Sequence, residues 1–442
     1  MRFVSTRNEK KQVSFQQALL NCMPEDGGLY VPCDCEDLRH WILYADEKTS
    51  FANLAGTLTS ALINTEFSPI ICEAIATSAF PFEPVVRQLD ENLFILELYH
   101  GFSGTFKDFG TAYLASALET ILKMNGEKSI LLDATTGELG ACMSKALKGK
   151  KLLKSILIAP KGSFRGLDES DFVWNGGSIF PIEVDGNEKD CHDFVQHFFS
   201  NPELVKKYHL SLANTANIGR LLPQAFFYTF AFTRIKKIVN GDIYYAMSAG
   251  NYGNLISGLY SWQLALPVKG FILPSTPQLC TDAQGKVMVV NDLVPLEKRN
   301  PANPSDPLNI ERLEHFFKQN SLMMRSFVYP ANVSNKQISE ACKELFVKYK
   351  IYADSETSAA YAAARLRTDI TRNDEGSVVL VARNCPFIDR EFLMHNLGEC
   401  PKLPEKVEGA FKPVALNRPV VSPKNYDYLT SVLNSLNLRR IF

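Results

Sequence analysis

From about Leu93 onward, short runs of Leu, Ile, Val and Tyr alternate with longer stretches in which apolar residues recur every three or four positions. The short runs include Ile130-Leu131-Leu132, Ile156-Leu157-Ile158-Ala159, Ile243-Tyr244-Tyr245 and Val378-Val379-Leu380-Val381. This alternation predicts parallel strands joined by crossover helices, an α/β fold. The first ninety residues differ: Ile70, Ile71, Ala74 and Ile75 follow a helical spacing, and the pattern stops near the breaker Phe80-Pro81-Phe82-Glu83-Pro84. The division expected from these changes is an N-terminal domain over 1–90, a core of two α/β subdomains over 91–395, and a C-terminal segment over 396–442. The stretch from Asn300 to Pro307 is proline-rich and irregular, and no internal repeat is visible.

Composition narrows the classes. With 442 residues, 46% of them hydrophobic, the chain can bury two or three packed units. A net charge of −1 argues against a nucleic-acid or polybasic membrane partner, either of which needs an excess of Lys and Arg. The N-terminus lacks an apolar signal core and no apolar run is long enough to span a bilayer, so a cytoplasmic enzyme is expected, as monomer or homodimer. Ten cysteines without a Cys-x-x-Cys pair read as reduced core fillers, and seven histidines without His-x-x-x-His spacing make a metal site unexpected.

Two segments carry candidate chemistry. In Phe106-Lys107-Asp108-Phe109-Gly110, a lysine sits between a strand-like run and a helix-like run. A lysine so placed can form a Schiff base with pyridoxal 5′-phosphate (PLP) if its amine is activated. By itself the Lys-Asp pair reads more simply as a solvated helix start, with Asp108 capping the helix. The second segment, Ser248-Ala249-Gly250-Asn251-Tyr252-Gly253-Asn254, follows a strand-like run and precedes a helical one. A strand, a glycine-bearing turn and a helix N-terminus aim backbone N–H groups at one point, where an anion is favoured.

These segments, with Gln12 to Leu19, Asp26 to Pro32, Glu97-Leu98-Tyr99-His100-Gly101 and Ala213-Asn214-Thr215-Ala216-Asn217-Ile218-Gly219-Arg220, occur in an order that resembles the threonine synthase family over nearly the whole chain. That family is PLP-dependent, of fold type II (tryptophan synthase β-like), with two open parallel-sheet subdomains and the active site between them. The resemblance implies a lyase of threonine biosynthesis that converts O-phospho-L-homoserine and water to L-threonine and phosphate. It implies that Lys107 holds PLP and shuttles protons, and that Ser248, Gly250, Asn251, Tyr252 and Gly253 bind the cofactor. Thr135, Thr136, Gly137, Lys161, Asn214, Asn217 and Arg220 would bind substrate. Other readings of the same residues stand beside these: capping by Thr136 and Asn214, a solvated Lys161, and an ion-pairing Arg220.

The chain also departs from the family pattern. Thr136-Gly137-Glu138-Leu139-Gly140 stands for Ser-Gly-Asp-Thr-Gly, and Glu356-Thr357-Ser358 replaces a segment that usually reads Pro-His. Ala382-Arg383-Asn384-Cys385-Pro386 replaces the Thr-Ala-His-Pro segment that supplies the partner of the pyridine nitrogen. Asn384, or Arg383, is the expected substitute. These changes keep two alternatives open: another PLP-dependent lyase on the same scaffold, or a non-catalytic relative that binds PLP or a phosphorylated metabolite.

Overall fold

In the computed structural model, the described residues are 1–63, 65–239, 241–282, 287–289, 294–318, 320–367 and 376–438. Two parallel sheets form the framework. The larger runs β14 (Val328–Ala331), β11 (Gly270–Pro274), β10 (Asp242–Ala246), β15 (Gly376–Ala382), β5 (Leu93–Glu97) and β4 (Val85–Asp90). All its pairings are parallel except β4 with β5. The smaller sheet runs β8 (Ile179–Val184), β7 (Leu153–Pro160), β6 (Ser129–Ala134) and β9 (Leu210–Ser211), all parallel. Its strands lie in sequence between β5 and β10, so the chain leaves the larger sheet, builds the smaller and returns. The four apolar runs named above form β6, β7, β10 and β15.

The N-terminal sheet holds β1 (Phe3–Ser5), β2 (Asn8–Val13) and β3 (Tyr30–Pro32), and it is followed by helices that include Phe51–Ile63 and Pro69–Ala79. The expected boundary at 90 falls too late: β4 pairs with β5, so the core sheet already contains residues 85–90. The C-terminal segment is no appendage either. Val421 bridges Val184, and Leu429, Val432 and Leu433 share a buried cluster with Ile156, Ile158 and Phe194.

Aromatic packing ties the N-terminal domain to the start of the 19-residue helix Lys107–Asn125. Phe51 meets Phe109 edge-on at 5.2 Å between ring centroids, and Phe82 meets it at 5.0 Å. Such pairs add roughly 0.5–1.5 kcal/mol each beyond burial. They fix the helix two residues from Lys107.

Candidate active site

Topology places the candidate groups. Strands β10, β15 and β5 are adjacent and parallel, so the segments leaving their carboxyl ends open on one edge: the turn at 248–253, the segment 383–386, and the loop leading to Lys107. Crevices at such edges are where α/β folds hold ligands. From the smaller sheet, β6 delivers residues 135–138, β7 delivers 161–165, and β9 delivers 214–220.

Lys107 opens its helix, and its Nζ donates to Glu138 Oε2 at 2.6 Å. Glu138 Oε1 accepts from Arg165 Nη2 at 3.0 Å, and the Arg165 guanidinium lies 5.7 Å from the Phe411 ring centroid. Lys107 and, more weakly, Arg165 hold the Glu138 carboxyl below its ordinary pKa, against the opposing effect of burial. A small cavity beside them, about 10 Å³, is bounded by Ser103, Thr105, Ile388 and Ala410. Of these contacts the sequence singled out only Lys107. Glu138 appeared as a departure from pattern, and Arg165, which lies outside every motif, went unread.

Asp108 neither caps the helix nor touches the amine. Its Oδ2 accepts the Ser103 N–H at 2.8 Å and so braces the loop before Lys107, while burial raises its pKa to about 6. Asp133, at the end of β6, accepts the Ala213 N–H and the Asn214 amide, and burial raises its pKa to about 7. An acid with a raised folded pKa binds more protons folded than unfolded, so its contribution to stability is complete below the unfolded value near ~3.9 and is lost as pH rises through the folded one. Asp133→Asn is therefore expected to flatten the fall in unfolding free energy between pH 5 and 8, read from denaturant curves at each pH. An unchanged slope would place the titration elsewhere.

The turn at 248–253 is built from left-handed residues, Gly250 at φ +48° and Tyr252 at φ +64°. An L side chain costs about 1–2 kcal/mol there, and Tyr252 is held by burial and by a hydroxyl contact with Thr276. The space left by the missing Gly250 side chain is already taken: a Cβ there would lie 2.6 Å from Arg383 Nη1. Arg383 is buried, donates to Asn254 Oδ1 at 3.1 Å and Glu356 Oε1 at 2.5 Å, and lies 5.1 Å from the Phe106 ring centroid. Its carbonyl accepts the Phe106 N–H at 2.7 Å. Arg383 thus joins the glycine turn, the replaced segment at 356 and the lysine helix. Asn384, expected to face a cofactor, turns its amide to Asp354 and Glu356 instead.

Other expected site residues are differently employed. Asn214, Asn217 and Arg220 do not line one helical face, because the helix there is only Ile218–Leu221 and Asn214 lies in the preceding turn. Asn217 is fully buried, caps Gly219, and donates to Leu19 O and Ser211 Oγ. Asn214 donates to Asp133 and Pro304 and accepts from Ala216. Arg220 is buried, with Nε and Nη1 unpartnered among the described residues. Thr135, not Thr136, caps the 138–146 helix, accepting from Gly137 and Leu139; Thr136 and Lys161 are exposed. Asn251 donates to Thr215 and Pro307 and accepts from Gly253.

A buried arginine ties these turns together. Arg312, completely buried, donates to the carbonyls of Tyr30, Thr215 and Ala216 and to Asn309 Oδ1. The Asn309 amide reaches Thr215 Oγ1 and Asn251 O. Sequence reading missed both.

A model of the threonine synthase N terminus matches residues 2–80. The threonine synthase of Buchnera aphidicola (Acyrthosiphon pisum) is 30% identical over 402 residues, spanning 88% of this chain and 90% of the relative. This chain belongs to the threonine synthase family. The Escherichia coli threonine synthase is 28% identical over 413 residues, covering 92% of this chain and 94% of its own. A crystal structure of threonine synthase from Escherichia coli superposes with TM-score 0.76 at 26% identity, covering 99% of this chain and 100% of that one. A PLP-bound threonine synthase from Brucella melitensis matches the fold with TM-score 0.79 at 19% identity. The two parallel sheets and the N-terminal domain are thus the threonine synthase architecture. Among the described residues, no helix is long and apolar enough to cross a membrane.

Proposed function

We propose that this chain is a PLP-dependent threonine synthase, a carbon–oxygen lyase that converts O-phospho-L-homoserine and water to L-threonine and phosphate. The observation that carries the reading is the placement of Lys107 and the 248–253 turn on the same edge of the larger sheet, in a chain of this family. The residues fit the cofactor. The Ser248 hydroxyl is buried beside the turn without a partner among the described residues, and the helix Gly253–Gln263 begins there with its positive dipole end. Lys107 supplies the amine for the aldehyde.

Bound PLP supplies an electron sink for carbanions. Lys107 Nζ, when free, would carry protons between substrate carbons, work worth about 10²–10⁴-fold in rate. Ser248 and the backbone at 250–253 would hold the cofactor phosphate. Thr135 keeps the start of the 138–146 helix in place, Arg383 fixes the turn to the lysine helix, and the C-terminal residues Ala410 and Phe411 line the space beside Glu138. Arg220, with two nitrogens unpartnered among the described residues, would be one cation for a substrate anion if its neighbours rearranged.

Incubation with O-phosphohomoserine tests the proposal by the two products. Equal release of phosphate and threonine is expected. Phosphate without threonine marks an eliminating lyase, and a protein that turns yellow with PLP yet yields neither product is a binder.

A further inference from the structure

We propose that Glu138 is a catalytic residue, the proton partner of the Lys107 amine whenever that amine joins or leaves the cofactor. The inference rests on the cofactor reading given above. Its first support is direct contact, Glu138 Oε2 to Lys107 Nζ at 2.6 Å. The second is that the carboxylate is aimed and not merely near: Arg165 holds its other oxygen at 3.0 Å, and Thr135 fixes the helix start that presents it. The third is charge compensation. Lys107 begins a helix, where a cation faces the positive end of the dipole, and Glu138 is the compensating charge.

Among the described residues, the charged groups that act on Glu138 are Lys107 and Arg165. From the lysine helix come Lys107 itself and Asp108, whose carboxylate is taken by the Ser103 N–H. From the loop after β7 comes Arg165, and from Glu138's own helix the buried Cys142, whose thiol burial pushes up to about 12. Arg220 is buried and faces Cys142, Asp108 and Asp133. The C-terminal helix Glu405–Phe411 borders the cavity with Ala410 and Phe411, which do not titrate. Glu138 is thus the carboxylate in contact with the amine.

The step balances. Glu138 Oε2 takes one proton from the Lys107 ammonium, and the freed nitrogen lone pair bonds the aldehyde carbon. The carbon–oxygen bond breaks, and the oxygen leaves as water carrying the two hydrogens of the amine. The proton held by Glu138 returns to the linked nitrogen, so charge is conserved and nothing is oxidised or reduced. When substrate displaces the lysine, the amine returns to the carboxylate in the contact seen here.

The test titrates the colour of the PLP-loaded protein, not its turnover. A carboxylate beside the linked nitrogen stabilises its protonated, yellow form. Glu138→Gln is expected to move the midpoint for loss of yellow to lower pH by about one unit, tenfold in proton affinity, with Glu138→Asp recovering part of the shift. Arg165→Met, which leaves Glu138 in place and removes a competing cation, is expected to move the midpoint the opposite way, and it serves also if the glutamine variant fails to fold. Midpoints that stay at the wild-type value in the variants would overturn the proposal. A wild-type protein that never turns yellow would instead sink the cofactor reading on which it rests.

Discussion

Lys107→Ala is expected to abolish the yellow colour with PLP and to lower phosphate release from O-phosphohomoserine by at least about 10³-fold, the scale set by losing a positioned proton carrier. Its melting temperature is expected to stay near that of the wild type. The Lys107 side chain is 36% exposed and Glu138 28%, so their pair is screened and adds little to stability. The contrast between large kinetic and small thermal effects is the measurement. If the variant turned over at the wild-type rate, no reading with a cofactor on this lysine would survive.

Arg312→Ala is expected to produce the largest loss of stability, roughly 3 kcal/mol or more, because each buried acceptor left without a donor costs about 1–3 kcal/mol. Three backbone carbonyls, of Tyr30, Thr215 and Ala216, would lose their donor in a place water does not reach. Burial lowers the Arg312 pKa only to about 10, so the group stays charged at neutral pH. Because these carbonyls span the N-terminal sheet and the loop after β9, and Asn309 links the same network to Asn251, cofactor affinity should weaken along with stability. Arg312→Lys keeps the charge but not the fork of donors, and should fall between. Chemical denaturation with PLP titration checks both, and an alanine variant as stable as the wild type would contradict the assigned role.

The sequence showed its strands well, because β6, β7, β10 and β15 are interior strands whose side chains are mostly buried and therefore read as continuous apolar runs. It hid β4, an antiparallel edge strand with half-exposed residues, and the domain boundary was consequently set too late. Lys107 and the 248–253 turn were legible because their chemistry depends on local strand-to-helix geometry. The contacts between them were not. Glu138 reaches Lys107 from the other sheet, Arg383 reaches Gly250 across a strand order that the chain order does not reveal, and Arg312 joins parts nearly three hundred residues apart. The shared helical face expected for Asn214, Asn217 and Arg220 is absent for a related reason: a spacing of three positions implies a shared face only on a helix, and the helix there has four residues.

Reduction of the PLP-loaded protein with borohydride, followed by digestion and mass mapping, tests the central claim most directly. A phosphopyridoxyl group on Lys107 is the result this structure predicts. The same label on Lys161 or any other lysine, with Lys107 unmodified, would contradict it.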